Sequence, residues 1–281
     1  MTLITVEEIS GRVAFRRFVE FPYSQFRSEL RWSPPLAAVE AARLDPQRNP
    51  FFDDGDGEYF LARRAGALAG RITAHVATRD TTDGWFGFFD SVDDPRVVAA
   101  LVMRAAQWLG EHGCTTITGP ASFTPDDGPG VLVDGFHVAG TTGRPWNPEW
   151  YGPHLEGVGL VASGELRTWR LAATGTTALQ RTSDRPAVAG RFVDPRIVLP
   201  GVVAVPDLTL ARGSAVTLAR RSKRNDWDGC TIVALDGDPA VLVPELQGAA
   251  AMAGYSWVVS PWCSDADAVP ETVHVRFTMK L

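Results

Sequence analysis

The sequence predicts a mixed fold of the α+β or α/β class, with a mostly antiparallel sheet flanked by helices. Three observations support this class. A two-strand hairpin with a tight glycine turn covers residues 58–78. A strand-helix-strand segment at 86–120 joins two neighbouring strands in parallel. A second segment, at 235–262, again runs from Asp-Pro through a helix and a glycine into a strand.

The individual elements follow from local patterns. Apolar or alternating segments predict strands at 3–9, in both arms of 58–78, and at 84–91, 114–120 and 164–173. Apolar residues at helical spacing predict helices at 12–21, 95–113 and 147–160. Pro95 in the first turn and His112-Gly113 at the end bound the strongest of these helices. The glycine-rich stretch from 121 to 145 is expected to be a long loop.

An internal echo predicts two domains, residues 1–175 and residues 176–281. The segment 235–262 parallels 91–121 in the order Asp-Pro, helix, glycine, strand and proline. The second domain would be a shortened copy packed on the first, with 274–281 as its last strand. The alternative is chance similarity, because Asp-Pro before an alanine-rich helix is a common arrangement.

Composition narrows the class of protein. The chain has 281 residues and a formal net charge of −6, which argues against a nucleic-acid partner. The basic cluster at 219–226 is interpreted as a solvated helix end, with an anion or RNA contact as the alternative. No apolar run is long enough to cross a membrane, and the acidic N-terminus lacks a signal pattern, so a cytoplasmic location is expected. The three cysteines lack metal-site or disulfide spacing.

The element order resembles the GNAT superfamily, the acyl-CoA N-acyltransferases, over roughly residues 3–172. The hairpin "FLARRAGALAGRITAHV", the strand-helix-strand at 86–120 and the motif "NPEWYGPHLEGVGL" carry this resemblance. The blocks "FVEFPY", "NPFF", "FGFF", "DDP" and "NPEWY" further resemble a subgroup of uncharacterised bacterial GNAT-like proteins in which a second GNAT-like half follows the first. The resemblance implies a bacterial acyltransferase of biosynthesis that acts on an amine.

The loop that binds the CoA pyrophosphate in this superfamily departs from its pattern here. Asp93, Asp94 and Pro95 stand where glycines would let the backbone approach phosphate. Asp94 is expected to cap the helix that begins at Pro95. Arg96 is the remaining candidate contact for a phosphate. We therefore expect an acyl-CoA or an acyl carrier protein as donor, with free CoA disfavoured and no covalently bound cofactor.

The candidate catalytic residues are Asp90, Tyr151 and His137. Asp90 ends a strand where GNAT enzymes often carry a carboxylate, and it shares a strand face with Phe88. Burial on that face would raise the pKa of Asp90 and suit proton abstraction. The alternative is a carboxylate that hydrogen-bonds to backbone. Tyr151 lies one helical turn before Leu155, which occupies the position of the superfamily's acid, and its alternative role is packing. His137 is either an acid or base, or a hydrogen-bonded loop residue.

The loop 122–152 holds the candidate substrate-binding residues. Long loops of compact domains are usually functional. Acidic residues there would suit a cationic amine, and aromatic residues would enclose an apolar body. Together with Phe88, the candidates are Asp126, Asp127, Trp146, Asn147 and Trp150.

Three functions remain open at this point. The first is a GNAT-fold N-acyltransferase that acts on the amine of a small molecule. The second is a GNAT-fold enzyme that performs acid/base chemistry without transfer, such as cyclisation, elimination or hydrolysis. The third is a non-catalytic ligand-binding protein. No metal site is expected.

Overall fold

The computed structural model describes residues 2–35, 37–78, 81–123, 130–141, 144–175, 208–212, 215–221, 229–236, 238–261, 263, 265 and 267–281. The helices are α1 (Gly11–Gln25), α2 (Ala37–Arg43), α3 (Pro95–Glu111), α4 (Tyr151–Gly157) and α5 (Pro239–Met252). The first strands are β1 (Ile4–Glu8), β2 (Asp56–Arg64), β3 (Ala67–Val76), β4 (Asp83–Ser91), β5 (Thr116–Gly119) and β6 (Val131–Asp134). The later strands are β7 (Val161–Ala172), β8 (Leu208–Arg212), β9 (Ala215–Arg221), β10 (Gly229–Asp236), β11 (Trp257–Ser260) and β12 (Thr272–Lys280).

The strands of the described residues form one 12-stranded sheet in the order β1-β2-β3-β4-β5-β12-β7-β11-β10-β9-β8, with β6 beside β12. Among the described strands, β4 with β5 and β10 with β11 pair in parallel, and the other pairings are antiparallel. Each parallel pair is joined by a crossover helix, α3 in the first case and α5 in the second. The predicted fold class, a mixed and mostly antiparallel sheet flanked by helices, is confirmed.

Helix α3 packs on one face of the sheet through a continuous stripe of apolar residues. Val98, Leu101, Val102, Ala105 and Leu109 are all fully buried. They join a core formed with the α3-facing residues of the first strands, which include Phe60, Ile72, Ala74, Phe86 and Ile117. The opposite face of β2, β3 and β4 is covered by α1 and by the segment around 44–52, where a separate apolar cluster forms.

The C-terminal strand β12 lies between β5 and β7, within the sheet that the first part of the chain builds. Phe277 is the Cα partner of Gly119 and of Ala162, and its buried side chain belongs to the core under α3. The sequence predicted this strand, at 274–281, as the last strand of a second, shortened unit. The proposed division into residues 1–175 and 176–281 stays a prediction.

The internal echo has a structural counterpart in the described residues. β10, α5 and β11 repeat the connection that β4, α3 and β5 make. Both helices begin with a proline that follows a capping aspartate, Asp94 for α3 and Asp238 for α5. Both are followed by a glycine with positive φ, Gly113 at 80° and Gly254 at 84°.

Several elements were not predicted from the sequence. Strands β8, β9 and β10 were not assigned, and the interpretation of the basic cluster at 219–226 as a helix end is wrong for residues 219–221, which lie in β9. The stretch 121–145, expected to be loop throughout, contains β6. β6 is only four residues long and is held by its pairing with β12, which is distant in sequence, so local pattern does not reveal it. Helix α2 was also missed as a distinct element after the prolines at 34 and 35. Among the described residues, no helix is both long and apolar enough to cross a membrane.

Candidate active site

A β-bulge shapes the C-terminal half of β4. Arg71 of β3 pairs with Asp90 and Thr73 pairs with Gly87, so one residue of β3 opposes both Phe88 and Phe89. Phe89 therefore points into the core under α3, while Phe88, at φ 43°, joins the cluster on the opposite face. The bulge re-aims the strand directly before Asp90.

The parallel pairing of β4 with β5 ends early. The last paired residues are Trp85 and Thr118, and the Ala121 N–H then donates to the Phe86 carbonyl at 2.8 Å. Beyond this point Tyr151, the first residue of α4, reaches β4, and its hydroxyl accepts a hydrogen bond from the Ser91 N–H at 3.1 Å. A helix residue, instead of strand β5, thus contacts the end of β4.

Asp90 and Tyr151 lie together at this end. The Tyr151 hydroxyl is 3.4 Å from Asp90 Oδ1, and Arg71 Nε donates to Asp90 Oδ2 at 2.7 Å. Burial raises the pKa of Asp90, although the Arg71 charge and hydrogen bond act in the opposite direction. Burial, followed by the Asp90 charge, raises the pKa of Tyr151 well above its usual value. The tyrosine therefore holds its proton at neutral pH.

Arg71 links this pair to a second carboxylate. Its guanidinium lies 3.7 Å from Glu40 of α2 and donates to the Phe18 carbonyl at 3.1 Å. Glu40 in turn accepts from Arg43 at 3.0 Å. The side chains of Arg71 and Glu40 are each only 5% exposed, so the charges of this network are largely removed from water. Because these charges are buried, each depends on its ion-pair partner for stabilisation.

This arrangement provides groups for proton transfer in two directions. The carboxylate of Asp90, with its raised pKa, is suited to accept a proton, and the protonated Tyr151 hydroxyl beside it is the group placed to donate one. Among the described residues, no group of three or more His, Cys, Asp or Glu side chains is placed to hold a metal ion.

The N-terminus of α3 has its hydrogen-bond donors occupied by its own cap. Pro95 has no N–H, and the Arg96 N–H donates to Asp94 Oδ1 at 3.0 Å. The N–H groups of Val97 and Val98 donate to the Asp94 carbonyl. The hydrogen bond from the Arg96 side chain is the main cause that holds the pKa of Asp94 below its usual range. This is the capping arrangement that the sequence predicted for Asp94.

Arg96, the candidate phosphate contact, is paired with the same cap. Its guanidinium approaches Asp94 Oδ2 at 2.7 Å, while its side chain remains 53% exposed. Neighbouring Asp93 lies 2.8 Å from His154 Nε2 of α4. The two acids of the modified loop therefore bind side chains and backbone of this chain.

The other predicted site residues lie in varied environments. Trp146 is buried and donates from its indole N–H to the Phe136 carbonyl at 3.0 Å. The Asn147 side chain accepts from the Leu132 N–H at 2.8 Å. Trp150 packs against Tyr151, with ring centroids 4.6 Å apart. His137 is exposed, and Asp126 and Asp127 lie outside the described residues.

Four buried polar residues were not predicted from the sequence: Glu40 and Arg71 of the network around Asp90, and Thr73 and His75, which follow Arg71 along β3. The last three follow one another at every second position of "GRITAHV", between apolar residues. This alternation predicts a polar face on β3, and the three residues could have been found from it. Glu40 carried no comparable signal, because its pairing with Arg71 depends on how α2 packs on the sheet.

The described sheet, the two crossover helices and the end of β4 define a protein with a GNAT fold in tandem. No family model matches the chain. A tandem GNAT protein from the clavulanic acid biosynthesis pathway superposes with a TM-score of 0.58 at 11% identity, covering 99% of this chain and 98% of that one. At this identity the likeness establishes the fold alone.

Two relatives are similar in sequence. Protein YghO of Escherichia coli (strain K12) is 33% identical over 180 residues, which cover 60% of this chain and 45% of the relative. The bacterial ceramide synthase of Caulobacter vibrioides (strain NA1000 / CB15N) is 29% identical over 215 residues, which cover 74% of this chain and 53% of that protein. The chain thus spans about half the length of the curated relatives it matches.

Proposed function

We propose that the protein is an N-acyltransferase that moves a fatty acyl group from a thioester donor to the amine of a long-chain amino alcohol. The observation that carries the proposal is the contact of Tyr151 with Asp90 at the bulged end of β4. The name of the relative from Caulobacter vibrioides supports the acceptor class. A ceramide is an amide between a fatty acid and a long-chain amino alcohol.

The proposed reaction uses the two groups in sequence. The amine nitrogen attacks the thioester carbonyl, and a C–N bond replaces the C–S bond. Asp90 accepts the proton that the amine loses, and the Tyr151 hydroxyl supplies a proton to the departing thiolate. The proton on Asp90 then passes to the Tyr151 oxygen, 3.4 Å away, which restores both groups. The products are an amide and a free thiol.

The proposed donor is an acyl group on a carrier protein, with acyl-CoA as the alternative. The internally satisfied N-terminus of α3 supports this order, because a pyrophosphate would compete with Asp94 for the Arg96 N–H. A carrier protein docks through its own surface and needs no pyrophosphate site on α3. The acyl carrier protein and the amine are therefore the proposed partners.

The experiment is an amide-formation assay on the full chain. The protein is incubated with a long-chain amino alcohol and either an acyl carrier thioester or the matching acyl-CoA, and the amide is measured by mass spectrometry. We expect amide formation, and a loss of about 10²–10⁴-fold in kcat for Tyr151→Phe and Asp90→Asn. Absence of amide with both donors would refute the proposal.

A matched control separates chemistry from folding. Tyr59 is another buried tyrosine, and its hydroxyl donates to the Leu44 carbonyl at 2.7 Å. Tyr59→Phe removes a buried hydroxyl without touching Asp90, so its kcat should stay near that of the unchanged protein. An equal loss of kcat in Tyr59→Phe and Tyr151→Phe would mean that Tyr151 acts only through stability.

A further inference from the structure

Three polar residues follow one face of β3 deep inside the protein. Arg71, Thr73 and His75 are 4%, 1% and 1% exposed, and they alternate with residues that face α3. The Arg71 guanidinium forms an ion pair with Asp90 and with Glu40 and a hydrogen bond to the Phe18 carbonyl. In contrast, Thr73 Oγ1 and His75 Nδ1 are buried and have no hydrogen-bond partner among the described residues.

The surroundings of the His75 ring are aromatic. The His75 ring contacts Phe51 and Phe123, with ring centroids 5.7 and 5.2 Å away. Burial lowers the pKa of His75 to about 3, so the ring is neutral and keeps one nitrogen as an acceptor. A buried polar atom without a partner costs about 1–3 kcal/mol, and an apolar side chain of the same shape would avoid this cost. Both atoms therefore reduce the stability of the ligand-free protein.

The covering segment is closely fitted to the strand. Gly87 is the Cα partner of Thr73, and a Cβ at Gly87 would lie 2.0 Å from the Ala121 carbonyl oxygen. Two residues after Ala121, Phe123 adopts a left-handed φ of 68° and packs on Phe88, with ring centroids 5.1 Å apart. The polar atoms of β3 thus lie beneath a segment whose backbone is held in an unfavourable conformation for a non-glycine residue.

The position of Thr73 relates it to the candidate acid/base pair. Asp90 is the Cα partner of Arg71, and Thr73 is two residues further on the same face, about 7 Å along the strand. His75 is two residues beyond Thr73. A molecule with its amine at Asp90 would extend other polar groups along this face.

We propose that Thr73 and His75 bind a hydroxyl group of the acyl acceptor, with Phe51 and Phe123 against its apolar part. A hydroxyl both donates and accepts, so it satisfies the Thr73 hydroxyl and the neutral imidazole together. An acceptor with an amine at Asp90 and a hydroxyl at Thr73 is an amino alcohol. This inference rests on the proposed function and assigns to two residues the selection of an amino alcohol over a simple amine.

The test is Thr73→Val, which keeps the shape of the side chain and removes its hydroxyl. The unchanged protein should use a long-chain amino alcohol with at least tenfold higher kcat/KM than the same amine without the hydroxyl. This ratio should fall about tenfold or more in the variant, mainly through KM. The urea midpoint of the ligand-free variant should be equal or higher, because an unpaired polar atom is removed.

Thr118→Val is the matched control. The Thr118 hydroxyl already has a partner, Thr278 Oγ1 at 2.9 Å, on the other side of β4. Its removal should lower the urea midpoint and leave the ratio of the two acceptors unchanged. A lower midpoint in Thr73→Val, or an unchanged ratio, would overturn the inference, since the Thr73 hydroxyl would then have a structural role or none.

A binding measurement distinguishes this inference from the proposed reaction. Thermal-shift titration with a medium-chain amino alcohol, and with the matching amine, reports affinity without catalysis. A larger shift with the amino alcohol, lost in Thr73→Val, supports the site even if no amide forms. Equal shifts overturn the site even if the protein acylates amines.

Discussion

Replacing Arg71 by Met tests whether the buried network holds Asp90 in its charged form. The substitution keeps an unbranched side chain but removes the guanidinium that contacts Asp90 at 2.7 Å and Glu40 at 3.7 Å. Both carboxylates then lose a partner while they stay mostly buried, with side chains 15% and 5% exposed. Removing one member of a buried ion pair typically costs about 3–5 kcal/mol, and we expect a loss of this size near neutral pH.

The expected loss depends on pH, and its sign follows from Asp90. The folded pKa of Asp90 is already raised by burial, and loss of Arg71 removes the main influence that lowers it. A raised carboxyl pKa contributes stability that is present below the unfolded pKa and is lost as pH rises through the folded pKa. Arg71→Met should therefore be least destabilising in acid and most destabilising at pH 7–8.

The assay is urea unfolding of Arg71→Met and Arg71→Met/Asp90→Asn at several pH values. The double variant removes both charges of the closest pair, so it should recover part of the lost free energy at neutral pH and show a weaker pH dependence. A loss below about 1 kcal/mol in the single variant, independent of pH, would refute the reasoning. It would mean that the network is solvated like a surface ion pair.

Two further predictions concern backbone glycines and the buried His274. Gly87→Ala should destabilise the protein by about 1–3 kcal/mol or more, because its Cβ would meet the Ala121 carbonyl, whereas Gly110→Ala in α3 meets no atom within 4 Å and should gain about 0.5–1 kcal/mol in urea unfolding. Burial lowers the pKa of His274 to about 4, so its contribution to stability is present above the unfolded pKa and is lost as pH falls towards 4. His274→Gln keeps a donor for the Pro145 carbonyl and should reduce this acid destabilisation by up to about 1.4 kcal/mol per pH unit; an identical pH profile in both proteins would contradict it.

The sequence predicted those parts of the fold that local pattern determines. The hairpin, the Asp94 cap and the crossover helix α3 follow from turn chemistry and from apolar residues at helical spacing. β6 and the placement of β12 between β5 and β7 depend on pairing between residues more than a hundred positions apart. No local signal specifies such a pairing, and the four-residue β6 is too short to show a period.

For the candidate site too, local pattern predicted some residues, whereas others depend on long-range pairing. Asp90 was predicted from its position at a strand end and Tyr151 from its position one helical turn before Leu155, and the two lie in contact. Arg71 was not predicted, because its contact with Asp90 depends on the register of β3 against β4 and on the bulge between them. The bulge also places Phe86 and Phe89 on the same side of the sheet, whereas strict alternation along the strand predicts opposite sides for two residues three positions apart.

The N-termini of the two crossover helices determine whether a phosphate can bind there, whereas the proposed acid/base pair lies elsewhere, at the end of β4. The side chains of Asp94 and Asp238 each accept a hydrogen bond from the N–H of the second residue of their helix, and the first residue is a proline in both helices. A phosphate at either helix would have to displace a carboxylate that already interacts favourably with the helix dipole. At α3 it would also have to break the Asp94–Arg96 pair, whereas the Asp90–Tyr151 contact at the end of β4 would be unaffected. A donor recognised away from α3, such as a carrier protein, is compatible with both features, because it needs the acid/base pair but not the helix N-terminus.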